Sequence, residues 1–329
     1  SVHVSRFLSD YLSGQRDLSP NTIKAYRDVF VLLLRYCRDE RGLSIERLEL
    51  QHIDTELIID FLDYLQSTRH CSVRTINQRL AVMHAFFRYI QVEEPERLLQ
   101  CQRILAIPLR RFVRKEVDYL SKDNLAALLD QPDIKRPAGR RDAVLLSLLY
   151  DTGGRVQEII NMTAGDVRLE TPAQVRILGK GRKVRVVPLM ENTVRLLQQY
   201  IDENKLALPE QYDRPLFLNR QGNSLTRAGV NYILQKYVTA AQEKRPALKQ
   251  KVTPHTLRHT KAMHLVEAGV SLDIVRDFLG HADIKTTELY ARANLEMKRA
   301  AIEKLSPTPV PDVPSWKENK SLLEWLQRL

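Results

Sequence analysis

The amino-acid sequence predicts a mainly α protein of two domains: an all-helical N-terminal domain, then a mostly α domain that carries a small antiparallel β-sheet. Three observations lead there. Apolar residues recur at helical spacing behind N-capping residues through the first hundred positions. A basic connector follows near residues 106–116. Beyond it two short alternating segments flank a glycine-bearing loop, and helical patterns then resume.

The chain has 329 residues, 43% of them apolar, which is enough for two ordinary cores and excludes global disorder. Its formal net charge of +11 favours a polyanionic partner, either nucleic acid or an acidic membrane face. Three cysteines, Cys37, Cys71 and Cys101, form neither a disulfide framework nor a thiolate metal site. They read as small core residues in a reducing cytoplasm. No apolar run is long enough to span a membrane, and the first ten residues hold no secretory apolar core.

In the first domain Ser19-Pro20 gives a cap and a proline at the first helical position. Ile23, Tyr26, Phe30, Leu33 and Cys37 then share one face. Asp54 caps a second helix with Leu57, Phe61, Leu62 and Leu65 on one side. Ser72 caps a third with Ile76, Leu80, Met83, Phe87 and Ile90. The opposite faces carry Lys24, Arg27, Arg74 and Arg79. Singly these fit a solvated helix face; together they suit a module that lies along a nucleic acid.

The connector holds Arg103, Arg110, Arg111, Arg114 and Lys115, five cations in thirteen residues without an acid. It fits a solubilising linker, and equally a strap across a phosphate backbone, where each contact releases counterions. The expected boundaries are 1–107 for the helical domain, 108–116 for the linker, 117–305 for the second domain and 306–329 for a tail. In that tail Pro307, Pro309, Pro311 and Pro314 mark an extended tether. Ser321 to Glu324 then fits a capping box for a short helix with Leu322, Trp325, Leu326 and Leu329 on one side.

In the second domain an apolar helical run from Asp142 to Tyr150 closes on Asp151-Thr152-Gly153-Gly154. Strands are expected over Gln174–Leu178 and Val184–Leu189, joined by the loop Gly179 to Lys183. Gly280 stops a further helix and leaves His281 in a turn, with Tyr290 near the start of the next helix.

Four clusters can carry chemistry. Arg155 follows a flexible turn and has Glu158 three residues on, a pair that also fits an ordinary helix start. Lys180 sits at a hairpin tip, as many polar turn residues do. His255 and His259 have zinc-ligand spacing, but Thr256 stands where a metalloprotease helix has its glutamate, and no carboxylate completes a coordination sphere. His255 three residues before Arg258 suits a phosphate clamp better, because arginine offers a planar fork and imidazole a further donor. Last come His281 and Tyr290, one of 12 tyrosines.

Together and in this order, the stretches 152–158, 178–189 and 255–292 closely resemble the motif blocks of the tyrosine recombinase family, which includes phage integrases, Xer resolvases and Cre. Ser19-Pro20-x-Thr22-x-x-x-Tyr26 resembles that family's core-site DNA-binding domain. Gly154 is a departure, since many relatives carry a larger apolar residue there; it bears on turn stiffness.

The resemblance implies a site-specific recombinase acting in integration, excision or resolution of DNA. It makes Tyr290 the nucleophile that forms a 3′-phosphotyrosine, Arg155 and Arg258 the clamp on the scissile phosphate, and His255 and His281 the further hydrogen-bond and acid–base groups. Lys180 would protonate the departing 5′ oxygen, and Glu158 would support the site by orienting a neighbour. No metal or other cofactor is expected, and no P-loop is present. The expected partners are a double-stranded recombination site and, through the C-terminal helix, further copies in a homotetramer. DNA contacts are expected from Lys24, Arg27, Arg74, Arg79, Arg110, Arg111 and Arg114. No arm-site-binding domain precedes the first helices, which favours a simple recombinase over a lambda-like integrase. Two other readings compete: a type IB topoisomerase-like enzyme without partner exchange, and a catalytically silent DNA-binding regulator.

Overall fold

Side-chain caps set where the first helices start. In the computed structural model, which describes residues 2–112, 118–179, 181, 183–246, 248, 251–281, 287 and 290, the Ser19 hydroxyl accepts from the Thr22 amide at 3.4 Å. Asp54 accepts from Leu57 N at 2.8 Å and Ser72 from Thr75 N at 3.3 Å. Each bond satisfies an amide that has no partner inside its own helix. The chain divides into two compact units that part between residues 115 and 116.

The secondary structure of the first unit is all helical among its described residues. Helix α1 (Val2–Arg6) runs into a π-helical stretch, Phe7–Gln15, followed by α2 (Pro20–Asp39), α3 (Thr55–Ser67), α4 (Val73–Glu93) and α5 (Leu98–Leu105). The predicted stripes face inward: Phe30, Leu33, Phe61, Leu65, Ile76, Leu80 and Phe87 are buried. The π-helical stretch has no counterpart in the sequence reading. It matters for packing because Phe7, fully buried, lies against Phe30, Phe86 and Tyr89 with ring centroids 5.2–6.1 Å apart. Full burial of such a ring stabilises by about 1.5–3 kcal/mol. Cys37 and Cys101 are core residues whose burial pushes their thiols up, and no described cysteine is in a disulfide.

Helix α5 takes Arg103 out of the connector. The chain beyond it stays fastened to the first unit: Ile107 is buried in its core, and Asn77 exchanges two hydrogen bonds with the Arg110 backbone at 2.8 and 2.9 Å.

The second unit holds α6 (Lys122–Leu129), α7 (Pro137–Asp151), α8 (Val156–Ile160), strands β1 (Val167–Arg168), β2 (Gln174–Leu178) and β3 (Val184–Pro188), then α9 (Glu191–Glu203), α10 (Arg227–Lys244), α11 (Pro254–Glu267) and α12 (Leu272–Leu279). Helix α7 is the centre: Val144, Leu145, Leu146, Leu148 and Leu149 are all fully buried. The strands form one antiparallel sheet in the order β1-β2-β3, with Val175 opposite Val187 and Ile177 opposite Arg185. The two-residue β1 is too short to leave a period-two signature, so the hairpin alone was legible.

The sheet turns Val175, Ile177 and Val187 to the core and leaves Val184 and Val186 more than half exposed. Strand β3 therefore faces opposite to a simple apolar-in reading of Val184 and Val186, and its inward set includes Arg185. No described helix is long and apolar enough to cross a membrane.

Candidate active site

Three turns and one helix build the site. Helix α7 is followed by its C-cap Thr152, whose hydroxyl accepts from Gly154 N at 3.0 Å. Gly153 takes φ +54°, and a Cβ there would meet Leu279 Cδ2 at 2.7 Å, so the turn needs glycine for both conformation and space. A Cβ on Gly154 would meet Ile159 Cδ1 at 2.6 Å, which explains the small residue before Arg155.

Arg155 stands extended just ahead of α8, and Glu158 reaches back to it. Glu158 accepts from the Arg155 amide at 2.9 Å, from Arg155 Nη1 at 2.8 Å and from Arg185 Nη2 at 2.7 Å. Burial by itself would raise the Glu158 carboxyl, but the bonds from Arg185 and from Arg155 outweigh it and hold the group below the usual carboxylate range. Arg155 keeps 42% of its side chain exposed, whereas Arg185 keeps 11% and Glu158 7%. Arg185 thus spends itself on the carboxylate, and Arg155 remains available to solvent.

Helix α11 starts at Pro254 behind a Thr253 cap and carries His255, Arg258 and His259 on its first two turns. Arg258 is 1% exposed. Its Nη1 donates to Gly153 O at 2.6 Å and its Nη2 to Leu279 O at 2.8 Å. One guanidinium so ties the turn before Arg155 to the turn before His281. Two of its five N–H donors are used in this way among the described residues. Burial, then Arg155 and Arg185, lower its pKa to about 10, which leaves it cationic at neutral pH.

The rest of α11 is clipped to the segment that enters the second unit. Thr260 accepts from Leu120 N at 3.0 Å, and the His264 ring bridges Leu120 O at 3.0 Å and the Tyr150 hydroxyl at 2.9 Å.

Gly280 closes α12 with φ +65°, and a Cβ there would meet Arg185 Nη1 at 3.1 Å. His281 follows, its Nδ1 2.9 Å from the Thr287 hydroxyl and its ring near-parallel to that of Tyr290. Tyr290 is helical and 1% exposed. Its hydroxyl lies 2.7 Å from His259 Nδ1. Burial pushes the phenol up to about 12, against the pull of Arg258 and Arg155. Burial also takes both imidazoles down to about 4, helped by His255 and Arg258 at His259 and by Arg258 and Arg155 at His281.

Arg155, His255 and Arg258 line one cavity of about 280 Å³, together with Gly154, Val156, Gln157, Arg227 and Pro254. Three guanidiniums and an imidazole around that volume make a cationic site that suits an anion such as a phosphodiester by its charge and its donors. Of the six residues expected to do chemistry, five are thereby brought into one region; Lys180 lies outside the described residues. Arg185, Arg227 and His259 had no place in the predicted set. Among the described residues no group of three or more His, Cys, Asp or Glu could hold a metal ion.

The expected DNA-contacting residues differ in what they already hold. Lys24, Arg74 and Arg111 are exposed. Arg27 pairs with neighbouring Asp28 at 2.7 Å, and Arg79 donates to Cys71 Sγ at 3.1 Å. Arg110 is engaged by Asp63 at 2.5 Å and by Gln66. Arg114 and the tail from 306 lie outside the described residues.

Two family models match. Residues 118–297 match the phage integrase family, and residues 4–94 match the phage integrase N-terminal SAM-like domain. The integrase/recombinase y4rC of Sinorhizobium fredii is 40% identical over 306 residues, 92% of this chain and 91% of that protein. Tyrosine recombinase XerD of Staphylococcus epidermidis is 33% identical over 299 residues, 91% of this chain and 96% of that protein. Among solved structures, the Tn1549 transposon integrase in complex with transposon right end DNA has a TM-score of 0.70 at 19% identity, covering 92% of this chain and 99% of that one. The XerH site-specific recombinase bound to a palindromic difH substrate has a TM-score of 0.68 at 23% identity, covering 88% and 81%. These two share the fold.

Proposed function

The chain belongs to the phage integrase family of tyrosine recombinases, and from that premise we propose that Tyr290 cleaves and rejoins the strands of a specific double-stranded DNA site. The family membership makes the protein a site-specific DNA recombinase; the assignment of each step to a residue is our reading. The observation that carries it is the cavity that Arg155 lines together with His255 and Arg258 of α11, the helix whose His259 touches the Tyr290 hydroxyl.

In this reading Arg155 and Arg258 hold the non-bridging oxygens of the scissile phosphate, where charge grows as the phenol oxygen attacks. His255 and His281 add hydrogen bonds and acid–base assistance. Lys180 protonates the departing 5′ oxygen. The 3′-phosphotyrosine keeps the energy of the broken bond, so attack by a 5′ hydroxyl rejoins the strand without ATP. Arg185 and Glu158 are positioning residues that fix Arg155 to the hairpin.

The test uses a nicked duplex recovered by sequencing DNA ends trapped on the protein. Wild type should form a covalent adduct on it and Tyr290→Phe none; equal yields from the two would sink the assignment. Relaxation of any supercoiled plasmid by a monomer would favour the topoisomerase-like reading, and sequence-specific binding without strand exchange the regulator.

We further infer a homotetramer on paired sites, joined through the helix expected over residues 321–329, and action in the cytoplasm at the nucleoid, on a mobile element. Removing residues 307–329 should shrink the synaptic complex; unchanged assembly and activity would count against docking in trans.

A further inference from the structure

The family reading gives His255 and His281 acid–base assistance in common, but it does not say which atom receives the phenol proton. The Tyr290 hydroxyl has its partner at His259 Nδ1, 2.7 Å away, with the two rings inclined at 62°. That nitrogen accepts when the imidazole is neutral and carries its hydrogen on Nε2. His259 lies on the first turns of α11 beside Arg258, and its ring centroid is 4.1 Å from that of His255. It therefore reaches from the residues that face the cavity to the oxygen that must attack.

We propose that His259 is a further catalytic residue, the base that takes the phenol proton from Tyr290 during attack. This rests on the recombinase reading. As the Tyr290 Oη–phosphorus bond forms, the O–H bond breaks and its proton passes to His259 Nδ1, giving an imidazolium. The phosphorus–O5′ bond breaks, and the leaving oxygen takes a proton from the acid assigned to Lys180. Rejoining reverses each transfer: the incoming 5′ hydroxyl gives up its proton, the phosphorus–Oη bond breaks, and Oη recovers the proton held at Nδ1. Electrons and protons balance without a metal or an oxidant.

The resting electrostatics agree with a base that acts only on bound substrate. Burial holds the phenol near 12, and burial with His255 and Arg258 holds the imidazole near 4, so the proton stays on Tyr290 while the site is empty. A phosphodiester entering beside His255 and Arg258 brings negative charge, which favours the imidazolium, and the bond forming to phosphorus acidifies the phenol. A protein that kept a free phenolate would risk attack on any phosphate; here the proton leaves only with the chemistry.

The experiment measures adduct formation on a nicked duplex that wild type cleaves. His259→Asn and His259→Gln keep a hydrogen-bonding group near Tyr290 but cannot carry the proton. Each should bind the duplex as wild type does and form adduct roughly 10²- to 10⁴-fold more slowly. Putting 3,5-difluorotyrosine at position 290 makes the phenol more acidic. It should recover roughly tenfold or more of the rate in the His259→Asn protein and clearly less with His259 present. Wild-type rates in both His259 variants would overturn the assignment, as would an equal fluorotyrosine effect in both backgrounds, which would leave His259 only a positioning role. A wild-type protein that formed no Tyr290 adduct would overturn the recombinase reading, and this proposal with it.

Discussion

Glu158 and Arg185 form a buried ion pair at 2.7 Å that joins the start of α8 to the β3 arm of the hairpin, and Arg155 shares the same carboxylate. Two cations divide one anion, and the more exposed of them, Arg155, is the one that lines the cationic cavity. Among the described residues the buried Arg185 Nε has no hydrogen-bond partner, and the pair with Glu158 helps offset taking that guanidinium out of water.

Removing the carboxylate strands Arg185. Glu158→Gln should lose on the order of 3 kcal/mol in urea unfolding, because a buried cation left without its partner is costly. Arg185→Met should cost less, and the double variant should cost less than the sum of the two, since the pair is one interaction. Additive losses in that cycle would mean the two side chains do not depend on each other. Adduct formation should fall in Glu158→Gln while DNA affinity changes little, because Arg155 keeps its charge but loses its aim.

Arg258→Lys is the sharpest test of the bridge between turns. An ammonium cannot reach both Gly153 O and Leu279 O while presenting donors to the cavity, as the planar guanidinium does. Loss of one well-placed donor costs about 3 kcal/mol or more in the transition state. We expect adduct formation to fall by roughly 10²-fold or more, with unchanged DNA affinity in gel-shift titration. A lysine variant cleaving at the wild-type rate would refute the bridging role.

Much of the fold was legible in the sequence because local chemistry decides it. Ser19, Asp54 and Ser72 each cap where their side chains predict, and Gly280 ends α12 in the left-handed conformation that glycine permits. The π-helical stretch over Phe7–Gln15 escaped because its periodicity is not that of an α-helix. Arg185 escaped for another reason. In Val184-Arg185-Val186-Val187 either alternate set can face the core, and what turns the arginine inward is Glu158, 27 residues away in the chain. His259 was visible at metal-ligand spacing from His255, but its partner Tyr290 is 31 residues distant, and no spacing rule connects them. Contacts made across the chain, as these are, have no local signature.

Acid should destabilise the second unit through two buried imidazoles. His259 and His281 sit near 4 in the folded protein against an ordinary 6.5, so both are neutral when folded and take up protons on unfolding between those values. A base whose folded pKa is depressed leaves stability intact above the ordinary value and drains it as pH falls. Each histidine contributes a slope of up to about 1.4 kcal/mol per pH unit across that window. Chemical denaturation at pH 7.5 and 5 should show the drop, and a His281→Gln variant should show a shallower one. Identical slopes for the two proteins would exclude His281 as a source.

Gly153→Ala tests the turn ahead of Arg155. Alanine at φ +54° is strained, and its Cβ would press on Leu279, whose carbonyl Arg258 also holds. The expected cost is about 1–3 kcal/mol in stability, with slower adduct formation because both acceptors of Arg258 move together. Gly181→Ala, also at positive φ (+72°) but with nothing within 4 Å of the added Cβ, is the control. It should show conformational strain without the contact, and so a smaller loss of stability.

The basic residues of the first unit should divide by what already neutralises them. Lys24 and Arg74 are exposed on α2 and α4 with no ion pair among the described residues, whereas Arg27 is paired with Asp28 and Arg110 with Asp63. A cation free to meet a phosphate releases counterions on binding, and losing it lowers the salt dependence of affinity by about one unit of slope in log K against log salt. Lys24→Ala and Arg74→Ala should each show that change and weaken binding to target and unrelated DNA alike. Arg110→Ala should lower the slope less, because Asp63 must be displaced before the guanidinium can reach a phosphate; its main effect should be on stability, through the contacts it makes to α3. Fluorescence titrations between 50 and 200 mM salt resolve slopes of this size. An Arg110→Ala slope change equal to that of Arg74→Ala would mean that the Asp63 pair opens on DNA at little cost, and that the segment after α5 lies on the backbone after all.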